Sequence, residues 1–162
     1  MTSAEIIAEC TRRGLTIGVA ESLTGGLLVA ALIDTPGASA VVRGGVVAYD
    51  TALKHSLLGV DAALLAERGA VDAEVARQMA RGIREAVSVD GRPADIGIAT
   101  TGVAGPDPQD GQPVGRVYVG LAFGDEVRAV RLDLAGGRAA IRATTVSESL
   151  SLVREMLVQR RE

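Results

Sequence analysis

Residues 15–20, LTIGVA, make a short run dominated by branched apolar residues, set between a charged segment and a glycine-containing turn. A strand with one wet face alternates apolar and polar residues, whereas a short continuous run reads as a strand covered on both faces. That reading commits the rest of the chain to supplying cover on two sides of a sheet. A second run, ADIGIATTG (94–102), has the same character. A third, VVRGGVVAY (41–49), is interrupted by a glycine pair, which marks a bulge or a close approach of another backbone.

Helical segments lie between these strands. TSAEIIAECTRRG (2–14) has Thr2 or Ser3 as a candidate cap and Arg12, Arg13 and Gly14 at its end. GLLVAALID (26–34) is stopped by Pro36 and Gly37. DTALKHSLLGV (50–60) opens on Asp50 or Thr51, while DAALLAERG (61–69) and DAEVARQMARGIREAV (72–87) each open on an aspartate. Residues 103–115, VAGPDPQDGQPVG, hold too much glycine and proline for regular structure. RVYVGLAF and VRAVRLDL flank GDE as an antiparallel hairpin, and residues 136–162 read as one long helix. Interleaved strands and helices followed by a hairpin predict a three-layer α/β/α sandwich with a mixed sheet, of the α/β class.

At 162 residues and 48% hydrophobic, the chain suits a single domain over 1–162. The net charge of −3 is interspersed in sign, so no basic stripe is present to neutralise a nucleic-acid backbone. Phe123, Tyr49 and Tyr118 are the only aromatic side chains, too few for a base-stacking platform. One cysteine, Cys10, and one histidine, His55, allow no internal disulfide and no zinc site of the usual ligand types. Cys10 falls on the apolar side of its helix and reads as an inert buried thiol. The first segment carries charges every few residues, unlike a signal peptide or a membrane span, and a cytoplasmic protein is expected.

Lys54 is the only lysine in a chain whose other sixteen basic residues are arginines. Arginine stays charged at any accessible pH, but a lysine amine near a helix N-terminus and partly buried is pushed toward its neutral form. A neutral amine can accept a serine proton. Ser22 and Thr24 sit in the turn AESLTGG after the first strand, where Gly25 and Gly26 let a ligand approach the backbone. The helix start there is a candidate holder of a phosphate or an oxyanion. Tyr49 ends the strand before Lys54. His55 is about 100° round the helix from Lys54 and reads as outside any shared site. The 103–115 loop follows the hydroxyls of Thr100 and Thr101, and Arg138 and Arg142 lie four apart on one helix face, spaced to grip an anion.

The order AESLTGG, GGVVAYDTALKHSLLGV, RGAVDAEVARQMARG, TTGVAGPD, PVGRVYVGLA and an arginine-bearing last helix resembles the nicotinamide-nucleotide amidohydrolase family. The same family forms the C-terminal domain of CinA, the competence- and damage-inducible protein. The resemblance spans about residues 3 to 157 and suggests the stand-alone form of the domain. It implies hydrolysis of the carboxamide of nicotinamide mononucleotide to nicotinic acid mononucleotide and ammonia, with no metal or redox cofactor. Ser22 then matches the nucleophile, with Tyr49 and Lys54 its partners, Thr101 a substrate contact, and Arg142 the phosphate-binding arginine with Arg138 as its rival. A homodimer is also implied. The chain departs from the family pattern in the loop DPQDGQ, where Gln112 replaces a lysine, at Asp72, where serine is common, and at Asp50 and Thr51, a stretch that commonly holds asparagine. The loop change leaves substrate preference open. A nucleotide-binding module without turnover and an amidase for another small amide are the alternative expectations.

Overall fold

The computed structural model describes residues 2–160. Five strands form one sheet in the order β2-β1-β3-β4-β5: β1 (Ile17–Glu21), β2 (Val42–Val47), β3 (Ile96–Gly102), β4 (Arg116–Phe123) and β5 (Glu126–Asp133). β1 runs parallel to both β2 and β3, while β4 and β5 are antiparallel additions. The expected mixed sheet is therefore present, with the hairpin at its end. The glycine pair of β2 does mark an irregularity: Ile17 pairs with Val42 and Gly18 with Gly44, so Arg43 is the extra residue of a bulge.

Six α-helices cover the sheet: α1 (Thr2–Arg13), α2 (Leu27–Ile33), α3 (Thr51–Leu58), α4 (Ala62–Arg68), α5 (Ala73–Ala86) and α6 (Arg138–Gln159). Thr2 and Ser3, read as caps, lie within α1. The capping aspartates behave as expected, since Asp50, Asp61 and Asp72 accept from Ala52, Ala63, and Glu74 with Val75. The 103–115 loop is not wholly irregular. Asp110 and Gly111, both at positive φ, form a tight turn closed by pairing of Gln109 with Gln112.

The two faces of the sheet differ in side-chain size, and this sets the layers. Ile17 and Val19 of β1, Ile96 and Ile98 of β3, and Val117, Val119 and Leu121 of β4 point one way, into a core with α1, α2 and α6. Each such side chain contributes about 1.5–3 kcal/mol when fully buried. Ala20, Ala99 and Ala122 point the other way, toward α5 with α3 and α4 outside it. Gly97 and Gly120 share that face, where an added Cβ would overlap the carbonyl oxygens of Ala80 and Ala76. The helix can lie this close only because the strands carry almost no side chain beneath it. Cys10 is fully buried in the first core, and burial pushes its thiol up to about 11, an unreactive state.

Candidate active site

β1 passes into α2 on one face of the sheet, and its neighbour β2 passes into α3 on the other. Adjacent parallel strands whose connections diverge leave a crevice at their carboxyl ends. Ser22 leaves β1 at this point, and α3 carries Lys54 to the opposite wall.

Lys54 is only 1% exposed, among the largest side chains to be so thoroughly buried in this protein. Its Nζ lies 3.1 Å from Ser22 Oγ and donates to the carbonyl oxygen of Ala48 at 2.6 Å. Burial lowers the amine from its ordinary 10.5 to about 8, with Asp50 at the helix start opposing the shift. About a tenth of the amine is then neutral at pH 7 and half at pH 8. A neutral Nζ that keeps one hydrogen on Ala48 O directs its lone pair at Ser22. An amine placed in this way can accept a proton from the Ser22 hydroxyl.

The turn after Ser22 is braced from three sides. Ser22 N donates to Thr100 O at 3.1 Å, and the buried Thr24 and Thr100 hydroxyls are 2.8 Å apart. Arg142 donates through Nε to Leu23 O at 2.8 Å and through Nη2 to Thr24 O at 3.4 Å. Glu21, a residue the sequence did not single out, is 1% exposed and accepts from Leu28 N at 2.8 Å and Val29 N at 3.1 Å. The start of α2 is therefore filled by the protein's own carboxylate. It does not offer the free helix terminus that the sequence suggested for an anion. The amides of Leu23 and Thr24 have no acceptor among the described residues and remain as donors beside Ser22.

A cavity of about 160 Å³ opens over Ser22 and Lys54, lined also by Tyr49, Thr101 and Arg138. This is smaller than the pockets of 300–1,000 Å³ that enclose whole drug-sized ligands, and it suits a ring-sized group with the remainder of a ligand on the rim. Thr101, fully buried, donates to Ala70 O at 2.7 Å and so holds the Ala70–Val71 wall in place. Tyr49 is 61% exposed, and its hydroxyl accepts from Arg138 Nη2 at 3.1 Å while Arg138 Nη1 donates to Gly105 O at 2.6 Å. The two arginines of α6 thus have different placements: Arg138 lines the cavity, and Arg142 braces the turn behind it. Thr24, Gly25 and Gly26 also belong to the turn rather than to the cavity lining. Gly25 and Gly26 take positive φ of 57° and 103°, which lets the chain reverse into α2.

His55 is bound to Val60 O at 2.7 Å through Nδ1, apart from the cavity as its helix position predicts. Gln112 binds Arg116 and is likewise off the lining, while Gln109 is on it. Among the described residues, no group of three or more histidine, cysteine, aspartate or glutamate side chains is placed to hold a metal ion, and no helix is long and apolar enough to cross a membrane.

The CinA C-terminal domain family matches residues 1–157. The chain belongs to this family. It is 47% identical over 152 residues to a CinA-like protein of Frankia casuarinae, covering 94% of this chain and 34% of that protein. The chain thus spans about a third of the length of the curated relatives it matches. A crystal structure of a CinA superfamily protein from Klebsiella pneumoniae superposes with a TM-score of 0.91 at 31% identity, over 98% of this chain and 96% of that one. The competence/damage inducible protein CihA from Agrobacterium tumefaciens superposes with a TM-score of 0.87 at 34% identity, over 96% and 93% of the two chains. These likenesses extend to the CinA family the fold that the sequence predicts.

Proposed function

We propose that this CinA-family chain is an amidohydrolase that cleaves the carboxamide of nicotinamide mononucleotide, releasing ammonia and nicotinic acid mononucleotide. The observation that carries the reading is the Lys54 amine, buried, lowered to about 8 and 3.1 Å from the Ser22 hydroxyl.

In the first step neutral Lys54 takes the Ser22 proton as Oγ attacks the carboxamide carbon, and the carbonyl oxygen becomes an oxyanion. The Leu23 and Thr24 amides, which follow Ser22 and have no acceptor among the described residues, are the candidate donors to it. Collapse of the tetrahedral species breaks the C–N bond, with the Lys54 proton passing to the leaving nitrogen, so ammonia departs and an acyl-serine remains. Water then attacks that ester with Lys54 as base, returning the Ser22 hydroxyl and the carboxylic acid. The steps need no metal or redox cofactor.

Arg138, on the cavity lining, is better placed than Arg142 to meet the nucleotide phosphate, with Tyr49 orienting its guanidinium. Thr101, through its bond to Ala70 O, shapes the enclosed part. A cytoplasmic homodimer belongs to the same reading, and sedimentation of the purified chain measures the assembly. The direct test is ammonia release from nicotinamide mononucleotide, its nucleoside and free nicotinamide. Turnover of the nucleotide that vanishes in Ser22→Ala supports the reading. No turnover in the intact protein, with the nucleotide still raising its melting temperature, would favour a binding module instead.

A further inference from the structure

The cavity lining holds three charged side chains, Lys54, Arg138 and Asp107. The first two are accounted for by Ser22 and by the carbonyl and hydroxyl at the rim. Asp107 is not. Its carboxylate has no hydrogen-bond or ion-pair partner among the described residues, although Asp110, three positions on, is bound to Ala70 N at 3.2 Å. Among the described residues it is also the only acidic one on the lining. Asp107 is exposed, so solvent holds its charge while the site is empty, and a positive part of a substrate placed beside it would be attracted to it.

An N-substituted nicotinamide supplies that part, since its ring nitrogen carries a full positive charge spread over the ring. With the carboxamide at Ser22, a ring in the enclosed volume would turn its charged side toward the open end of the cavity, whose lining includes the exposed Asp107. We propose that the Asp107 carboxylate recognises the pyridinium charge and makes the site selective for N-substituted nicotinamide cations over neutral aromatic amides of the same shape. The inference rests on the nicotinamide-nucleotide reading for the orientation of the amide, and it adds a reason for the substrate class. Thr101 donates to Ala70 O and Gln109 is neutral, so neither provides this discrimination.

The test uses two probes that differ only in charge: the 1-methylnicotinamide cation and neutral 3-methylbenzamide. Their binding is measured by calorimetry to the full chain carrying Ser22→Ala, at low salt and about pH 9, where most of Lys54 is neutral. The cation is expected to bind about tenfold more tightly than the neutral amide, equivalent to about 1.4 kcal/mol. Adding Asp107→Asn should bring the two affinities together by weakening the cation alone. Equal binding in the Ser22→Ala parent, discrimination that survives Asp107→Asn, or no binding of either probe would each overturn the proposal. Ammonia release by the intact protein is read separately. Charge discrimination without turnover defeats the amidohydrolase reading and leaves this one standing, whereas turnover without discrimination does the reverse.

Discussion

Two ionisable side chains of the same 1% exposure stand on opposite sides of Ser22, and they are treated differently by their surroundings. On the α2 side, Glu21 is given two helix amides for its carboxyl oxygens. On the α3 side, Lys54 is given one carbonyl and the serine hydroxyl, and desolvation is only partly offset by Asp50. A buried charge that receives matched partners is a structural brace, and one left short of them is held near neutrality. The turn that presents Ser22 is thus braced by a paired carboxylate on one side and faces an amine short of partners on the other.

Removing either side should therefore fail differently. Lys54→Met should lower amide turnover by about a thousandfold or more, within the range for loss of a base and nucleophile activator, with the fold intact. The same variant should be more stable than the parent at pH 7, by at most about 3 kcal/mol, because it removes a poorly solvated amine. Ammonia assays and chemical denaturation read the two effects. Glu21→Ala should behave in the opposite sense, losing about 1–3 kcal/mol as the Leu28 and Val29 amides go unpaired. A Lys54→Met variant that loses stability, or a Glu21→Ala variant that keeps it, breaks the contrast.

The pH dependence follows from the same amine. Turnover at low substrate should fall about tenfold per unit below pH 8, as the neutral base is titrated away. For stability the sign runs with the unfolded state, in which the lysine returns to about 10.5 and binds more protons than the native state does. Stability contributed at this position therefore rises as pH increases from about 8 to about 10.5, and that rise should be missing in Lys54→Met. Smaller effects are expected at the arginines. Arg138→Ala should raise KM for the nucleotide several-fold with little change for the nucleoside, whereas Arg142→Lys should lower kcat for both, because it loosens the Leu23 and Thr24 carbonyls. Kinetics on the substrate pair separates a rim contact from a brace.

Much of this was legible in the chain. The strand and helix order shows because aspartate caps and glycine stops punctuate it, and the hairpin because its two runs flank a short turn. Lys54 stood out as the only lysine, Ser22 and Tyr49 lie where the chain leaves strands, and the family resemblance joined the three into one set. The distinction between Arg138 and Arg142 was not legible. Residues four apart share a helix face, and only the position of α6 against the turn assigns one to the cavity and the other to its support. Glu21 was hidden for a similar reason: its partners are backbone amides of the next helix, which carry no residue signature. The small-residue side of the sheet, Gly97, Ala99, Gly120 and Ala122, did leave a trace in the alternation of large and small residues along β3 and β4.

Because Lys54 is the only lysine, labelling that residue type with nitrogen-15 gives a single side-chain amine signal. Following its chemical shift with pH reads directly whether the group beside Ser22 can serve as a base. A midpoint near 8, moving back toward 10.5 on unfolding, is the result expected of a desolvated amine. A midpoint near 10.5 in the folded protein would contradict the assignment of Lys54 as the proton acceptor.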